Sequence, residues 1–288
     1  MAAVSASTGS ALENVVRRVH DISSIPQVAL RVLEVANDPD SSASDLKEVM
    51  ETDAALSARV LRYVNSSAYA VRTRITNLQQ AIAYLGMKQI RNIALTASVA
   101  EMFRNDMGVE PYRRSSLWKH LVSVGICARL IAMRCKIAAF EDVFLAGLLH
   151  DIGIILEDQY VHPKFRQMIM ALTPEKSLCE WERQFLGFDH AELGEAVARA
   201  WGFPENVRTS IAFHHNAALY CGEQINIIRC VAVANLICTL KGMPSVGINL
   251  VRVPTWALQG LNLTKADIAV MAEDLDREIA QNAMLYEL

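Results

Sequence analysis

Five histidines and one aspartate in the second half of the chain are of the residue types that build a metal centre. The set consists of His120, His150, Asp151, His190, His214 and His215. Neutral imidazole and carboxylate are the usual nitrogen and oxygen ligands of Fe, Mn, Zn, Co and Ni, and six such groups can fill one six-coordinate ion or support two. Cysteine is absent from the set, which argues against a structural zinc finger.

Each of these residues also has an ordinary structural interpretation when it is taken alone. His120 shares a helical face with apolar Leu117 and Val124, where a buried imidazole is usually satisfied by hydrogen bonds. His150 and Asp151 end the apolar run 144–149, and an arginine could neutralise the aspartate. The six residues together favour a metal site. A metal-free scaffold, in which the histidines only hydrogen-bond to Asp151 and to backbone groups, stays open as an alternative.

The elements that must position these residues are helices. Almost every segment carries a 3.6-residue apolar period, and no convincing alternating strand pattern is bounded by turn residues, so we predict an all-α fold. Polar and turn-forming residues at 105–111 mark a joint between two helical lobes. The predicted divisions are 1–22 as a leader and first short helix, 23–108 as the N-terminal lobe, 109–241 as the lobe with the metal site, and 242–288 as a connection and a C-terminal helix that packs on the second lobe or on a partner.

Eight helices are predicted in the second half, and three of the six candidate ligands fall at their ends. Capping and stop signals place the helices at about 112–135, 140–159, 163–172, 178–186, 189–201, 204–214, 225–240 and 265–285. His150 and Asp151 lie in the middle of the second predicted helix, whereas His190 begins the fifth and His214 and His215 end the sixth.

Composition restricts the classes of function. With 288 residues, 52% of them hydrophobic, the chain can bury a large core, and a net charge of -3 gives no reason to expect a nucleic-acid partner. The first ten residues lack a signal-peptide pattern, and the longest apolar stretch, 225–240, is too short and too polar to span a bilayer. The six cysteines have no C-x-x-C spacing and are predicted to be reduced thiols. We therefore expect a cytoplasmic protein with no membrane partner.

The order of the candidate ligands resembles a known superfamily. His120, then His150-Asp151, then His190, then His214-His215 is similar to the HD superfamily of metal-dependent phosphohydrolases, and especially to the ligand pattern of the HD-GYP cyclic-di-GMP phosphodiesterases. The first lobe is similar to the narrower HDOD family, the HD-related output domain. The resemblance covers roughly Ser23 to His215, and the segments that carry it are Ser24-Ile25-Pro26, DAALSARVL at 53–61, NSSAY at 65–69 and ITNLQQAIAYLG at 75–86.

This resemblance implies a bacterial signalling module whose second lobe is an HD-type helical bundle with the six residues as metal ligands. The sequence departs from the active phosphodiesterases at Ile154, where a lysine is expected, and no Gly-Tyr-Pro element follows His190. Ser116 stands where some relatives carry a glutamate ligand. Asn235 is the best-placed residue for the superfamily's last aspartate, and an amide does not supply its negative charge.

We therefore expect a bacterial HDOD signalling or regulatory protein that acts through protein or ligand binding and retains its metal site. The alternative is a metal-dependent phosphohydrolase or phosphodiesterase that acts on a nucleotide or a cyclic dinucleotide. The expected cofactor is a divalent transition metal, Fe or Mn before Zn or Ni, and one ion before two. Signalling proteins are the expected partners, with a nucleotide or phosphate ligand as a further candidate. No residue is assigned to catalysis.

Overall fold

The predicted all-α class is confirmed. A computed structural model describes residues 11–19, 25–69, 71–106, 108–217 and 220–287, so the predicted leader and the Ser24 part of the family motif lie outside the described residues. The helices are α1 (11–19), α2 (Gln27–Asn37), α3 (Ala43–Glu51), α4 (Ala54–Val64), α5 (Leu78–Leu85), α6 (Met87–Val99), α7 (Arg114–Arg134), α8 (Phe140–Leu149), α9 (Ile152–Tyr160), α10 (His162–Ala171), α11 (Leu178–Phe185), α12 (His190–Ala200), α13 (Glu205–Phe213), α14 (Ile225–Leu240), α15 (Thr255–Gly260) and α16 (Lys265–Gln281). Within the described ranges, the strands are one short antiparallel pair, β1 (Gly108–Val109) and β2 (Tyr112–Arg113).

The chain divides into two compact units. The N-terminal unit comprises Ser23–Arg104 and Asp276–Leu288, and the central unit comprises Met1–Ile22 and Asn105–Leu275. This division differs from the predicted one at the end of the chain, where residues from Asp276 onward join the N-terminal unit. The reason is contact with that unit's core: Met284 and Leu285 pack against it, and the Tyr63 hydroxyl donates to Asn282 Oδ1 at 2.8 Å.

Helices α2 to α6 of the N-terminal unit enclose one apolar core, which includes Leu46, Val60 and Leu78. Polar side chains cap the helices that surround this core. The Asp53 carboxylate accepts from the backbone N–H of Leu56 at 2.9 Å at the start of α4, and Asn77 caps α5 in the same way. Apolar burial and local capping therefore favour the same helix boundaries.

Helix α7 is the central element of the central unit and packs most extensively on α8 and α14. Two glycines allow the close approach of α7 and α8: a Cβ on Gly147 would lie 2.9 Å from the Cα of Gly125. Helix α7 is long and apolar enough to cross a membrane, but 72% of its most apolar window is buried inside the protein, as in the core helix of a folded domain. This crossing brings the middle of α7 to the end of α8.

The helical conformation is interrupted at His150 and Asp151, and this helix break separates α8 from α9. The prediction of one continuous helix over 140–159 is therefore wrong. Asp151 has φ -105° and ψ 20°, outside the helical region, and α9 restarts at Ile152. Beyond the break, Gly153 lies against α12, because a Cβ there would be 2.0 Å from the carbonyl oxygen of His190. The break and this close contact bring Asp151 and His190 to the same point.

Candidate metal centre

The six candidate ligands converge inside the central unit. His120 lies in the middle of α7, His150 and Asp151 form the break between α8 and α9, and His190 is the first residue of α12. His214 and His215 directly follow α13. The first five side chains are buried, and His215 is exposed.

Asp151 lies at the middle of the cluster, and its two carboxylate oxygens face different histidines. Oδ1 is 3.2 Å from His190 Nε2 and 3.1 Å from His214 Nε2. Oδ2 is 3.2 Å from His150 Nε2 and 3.5 Å from His120 Nε2. Asp151 thus divides the cluster into two overlapping groups, one of His120, His150 and Asp151 and the other of Asp151, His190, His214 and His215.

The spacing between imidazole nitrogens fits ligands of a common ion. The Nε2 atoms of His120 and His150 are 3.4 Å apart, and His190 Nε2 lies 3.5 Å from His214 Nε2 and 2.9 Å from His215 Nε2. With metal–nitrogen bonds of about 2.1 Å, neighbouring ligand atoms around an ion lie roughly 3.0 to 3.4 Å apart. These side chains therefore already have the mutual spacing that a metal requires.

In three buried histidines, the contact of Nδ1, the ring nitrogen that faces away from Asp151, fixes the tautomer. His120 Nδ1 donates to the carbonyl oxygen of Met243 at 2.7 Å, and His150 Nδ1 donates to that of Gly147 at 2.8 Å. His214 Nδ1 donates to the carbonyl of Ile211 at 2.9 Å. Because a carbonyl oxygen only accepts, Nδ1 carries the hydrogen in each ring. With Nδ1 held in this way, the Nε2 atom of each ring faces Asp151, which is the orientation that metal-binding histidines adopt.

His190 is held by a carboxylate instead of a carbonyl. Its Nδ1 donates to Glu182 Oε2 at 2.7 Å, and its backbone N–H donates to the same oxygen at 3.1 Å. Glu182 is fully buried on α11. Sequence reasoning missed Glu182, and only its contact with His190, eight residues later, reveals its role.

The electrostatics of the centre favour a cation. Burial lowers the pKa of His150 to about 4, which keeps that ring neutral. Burial by itself would raise the pKa of Asp151, but the surrounding imidazoles hold it well below its usual value, so Asp151 is a carboxylate. Burial opposes a charge on His190, yet Glu182 and Asp151 raise the pKa of His190 well above its usual value, so without a metal this ring carries a positive charge in the centre, and a bound metal ion would take the place of its Nε2 proton.

An unsatisfied carboxylate oxygen in the centre fits the binding of a metal ion. Asp151 Oδ1 is buried and has no hydrogen-bond donor among the described residues, although imidazole nitrogens surround it. A buried carboxylate oxygen without a partner is costly, and of the nitrogens that face it only a protonated one could satisfy it. A cation between Asp151 Oδ1 and the imidazole nitrogens would be bound by the oxygen and by the nitrogens alike. The types of the donor groups and the unsatisfied oxygen therefore both fit a metal site.

The centre opens into a cavity of about 1040 Å³. Asp151, His214, His215 and Asn235 line its inner end. Asn235 is buried and accepts a hydrogen bond from the Thr239 hydroxyl at 3.3 Å, so an amide stands at the position expected for the last carboxylate. Ile154, at the position of the expected lysine, is fully buried and is absent from the cavity wall.

Comparison with known proteins confirms the resemblance read from the sequence. The HDOD domain family matches residues 22–217. The crystal structure of an HDOD domain protein of unknown function from Geobacter sulfurreducens is 27% identical, with a TM-score of 0.76 over 97% of this chain and 98% of that chain.

Two further relatives extend this comparison. A crystal structure from Shewanella amazonensis, of a protein named as a phosphohydrolase, is 24% identical to this chain. The comparison covers 95% of this chain and 97% of that chain with a TM-score of 0.71, so the two share the fold. An uncharacterized protein of Treponema pallidum is 26% identical over 222 residues, which is 76% of this chain but only 42% of that protein.

Proposed function

The chain belongs to the HDOD domain family, and we propose that it is a regulatory module whose histidine–aspartate centre binds a divalent transition metal and, through it, a phosphate-bearing small molecule. The observation that carries this proposal is the convergence of histidine Nε2 atoms on the Asp151 carboxylate, whose Oδ1 is unsatisfied, at the end of an open cavity. A metal ion there supplies a Lewis acid that attracts phosphoryl oxygens and can lower the pKa of a bound water.

All six predicted residues are the proposed ligands: His120, His150, Asp151, His190, His214 and His215. Imidazole and carboxylate donors without cysteine suit Fe or Mn before Zn or Ni. The two groups that share Asp151 provide two adjacent positions. However, one carboxylate and neutral imidazoles would leave about three positive charges on a pair of divalent ions. We therefore propose one ion in the resting protein.

The residues around the ligands hold the centre in place. The carbonyls of Gly147, Ile211 and Met243 and the Glu182 carboxylate fix the orientation of four imidazoles through Nδ1. Asn235 offers an uncharged polar side chain beside Asp151 on the cavity wall. The chain thus supplies a rigid pocket that binds an anion at the metal end.

We further propose that the protein binds signalling proteins in the bacterial cytoplasm. The family carries the expectation of a regulatory role, and none of the potential metal-binding groups found among the described residues lies in the N-terminal unit. All six cysteines are free thiols, which is compatible with a reducing compartment. Neither nucleic acid nor membrane is proposed as a partner.

Phosphohydrolysis is the second candidate, because each oxygen of Asp151 faces a separate group of histidines and the centre is open to the cavity. It ranks second because buried Ile154 and the Asn235 amide replace groups expected in active relatives. A screen of nucleotides and cyclic dinucleotides decides between the two candidates. Turnover that disappears in His150→Ala would establish hydrolysis, and binding without turnover would establish a regulatory module.

The metal itself is tested by elemental mass spectrometry of untagged protein. We expect close to one Fe or Mn per chain in the wild type and loss of at least nine-tenths of it in the double variant His150→Ala, Asp151→Ala, since about three ligand contacts disappear. The matched control is His162→Ala, which removes an imidazole of the same unit that hydrogen-bonds to Asp158 and not to the centre. Wild-type protein without metal would overturn the proposal and favour the metal-free scaffold.

A further inference from the structure

The cavity next to the metal centre is larger than a metal-bound phosphate requires. Its volume is about 1040 Å³, whereas pockets of roughly 300 to 1,000 Å³ enclose whole drug-sized ligands. One wall consists of α12 and α13 and carries charged side chains. The other is formed by residues 244–256. A ligand that fills this space extends well beyond the metal.

Four arginines line the cavity, and three of them are committed to carboxylates. Arg183 pairs with Asp189. Arg199 donates twice to Glu195 Oε1, from Nε at 3.1 Å and from Nη2 at 2.7 Å. Arg252 Nη2 donates to Glu180 Oε2 at 3.3 Å. These three guanidinium groups already have an anionic partner within the protein.

Arg208, the fourth, lacks such a partner. Its nearest carboxylate oxygen is Glu195 Oε1, 3.8 Å from Nη1, which is too long for a hydrogen bond. Its Nε is buried and has no hydrogen-bond acceptor within the part of the chain that the structure describes. Since Arg199 already holds Glu195 through two hydrogen bonds, Glu195 is not free to pair closely with Arg208 as well. No carboxylate of the described residues therefore holds the Nη donors of Arg208 by a hydrogen bond, and an anionic ligand can pair with them.

The place of Arg208 in the fold connects it with the metal centre. It lies on α13, the helix that leads directly into His214 and His215. Seven residues separate Arg208 from His215, which corresponds to about 10 Å along a helix axis. Both residues line the same cavity. One helix thus presents a cationic side chain and a metal-binding end at two points of one ligand space.

The wall formed by residues 244–256 is largely apolar. Val246, Ile248 and Trp256 line the cavity there, and Trp256 is only half-buried. A ligand that spans the cavity therefore contacts apolar side chains between its two ends. The arrangement fits a molecule with an apolar or aromatic middle and an anionic group at either end.

We propose that Arg208 binds the second anionic group, a phosphate or a carboxylate, of an elongated ligand whose first phosphate lies on the metal centre. This inference rests on the proposed function. The planar guanidinium donates Nη–H groups to the oxygens of the anion, since arginine pairs readily with phosphate and carboxylate. The ligand class is a bis-anion with its charged ends about 10 Å apart along α13.

The test compares two probes by isothermal titration calorimetry on the metal-loaded full chain. Hexanediol bisphosphate carries an anion at each end, and hexyl phosphate carries only one. We expect the wild type to bind the bisphosphate at least about tenfold more tightly, because its second anionic end gains charge-assisted hydrogen bonds with Arg208. In Arg208→Met this advantage should disappear, while the affinity for hexyl phosphate and the metal content stay unchanged. In Arg208→Lys, part of the advantage should remain.

Arg252→Met is the matched control, since it removes an arginine of the same cavity that is already paired with Glu180. It should keep the full preference for the bisphosphate. Equal affinity for the two probes in the wild type, or an unchanged preference in Arg208→Met, would overturn the role of Arg208 alone. Failure of both probes to bind the metal-loaded wild type would overturn the proposed function as well, so the two failures are distinguishable.

Discussion

Glu157 is buried behind the metal centre, and neither of its carboxylate oxygens has a hydrogen-bond donor among the described residues. Burial and the neighbouring Glu182 raise the pKa of Glu157 well above its usual value. Glu182 already accepts two hydrogen bonds from His190. Glu157 is therefore the carboxyl group that keeps its proton beside Glu182.

This arrangement predicts a pH-dependent stability that Glu157→Gln removes. The folded-state pKa lies above the unfolded value of about 4.5, so the folded protein binds more protons and loses stability as the pH rises from about 4.5 through the folded pKa. The loss amounts to about 1.4 kcal/mol per unit of pKa difference. Glutamine has a similar shape and has no proton to lose, so the stability of the variant relative to wild type should rise with pH.

The measurement is urea unfolding at a series of pH values, with a chelator present so that metal binding does not contribute. Glu273→Gln, a change at an exposed glutamate, is the control and should follow the wild-type pH profile. Parallel profiles for Glu157→Gln and wild type would show that Glu157 carries no proton of its own.

The six candidate ligands could be predicted at the residue scale because their types and order are visible in the sequence. Their supporting groups could not be predicted. The acceptor for His120 is the backbone carbonyl of Met243, which any residue type at that position would supply. Arg208 resembles any other helical arginine in the sequence, and only the cavity and the pairing of its neighbours distinguish it.

At the scale of elements, the contact between α9 and α12 decides whether the two groups of ligands meet. Gly153 lies in the first turn of α9, two residues after Asp151, and its Cα faces the backbone of His190. A methyl group there would be 2.0 Å from the His190 carbonyl oxygen and 2.7 Å from its carbonyl carbon. These are backbone atoms, so the two helices must separate to accept a side chain.

We predict that Gly153→Ala destabilises the protein by about 3 kcal/mol or more and releases most of the metal, because overpacking of this kind displaces backbone. Thermal unfolding and metal content measure the two effects. Gly202→Ala is the control: Gly202 has φ +73° and no atom within 4 Å of an added Cβ, so it should lose about 1 kcal/mol through backbone strain and keep its metal. Full metal content in a folded Gly153→Ala protein would contradict the role assigned to this contact.

The break between α8 and α9 shows where prediction of elements reaches its limit. Residues 143–149 and 152–156 are all apolar except for glycine, so the hydrophobic pattern continues through the break without a turn signal. The all-α class and most other helices follow from periodicity and caps, as at Ser177 and Asp189. The break instead follows from tertiary contacts of His150 and Asp151, which local sequence does not encode.

At the scale of the whole molecule, the apolar stripe of the last helix could be predicted, but the surface that it covers could not. Met271 and Leu275 of α16 are buried in the portion that belongs to the central unit. The following residues, Met284 and Leu285, pack on the core of the N-terminal unit. An apolar stripe on a helix must be covered by another surface, but the stripe itself does not show which surface covers it.

Leu285→Ala should therefore weaken the N-terminal unit selectively, by about 1 to 2 kcal/mol for a partly buried leucine. Hydrogen exchange followed by mass spectrometry measures this for each unit, and amides of α4 and α5 should exchange faster while those of α7 and α14 keep their protection. Exposed Glu287→Ala is the control. Faster exchange confined to the central unit would contradict the assignment of this segment.

The division of the N-terminal unit into Ser23–Arg104 and Asp276–Leu288 affects the order of events during synthesis. The first of these segments leaves the ribosome early, but the residues that complete its core follow only after all of residues 105–275. At roughly 5 to 20 residues per second, the delay is on the order of ten seconds. During that time the central unit can fold, so the N-terminal unit, whose main segment emerges before that of the central unit, is completed last, and its core is the part of the nascent chain that chaperones have the longest time to bind.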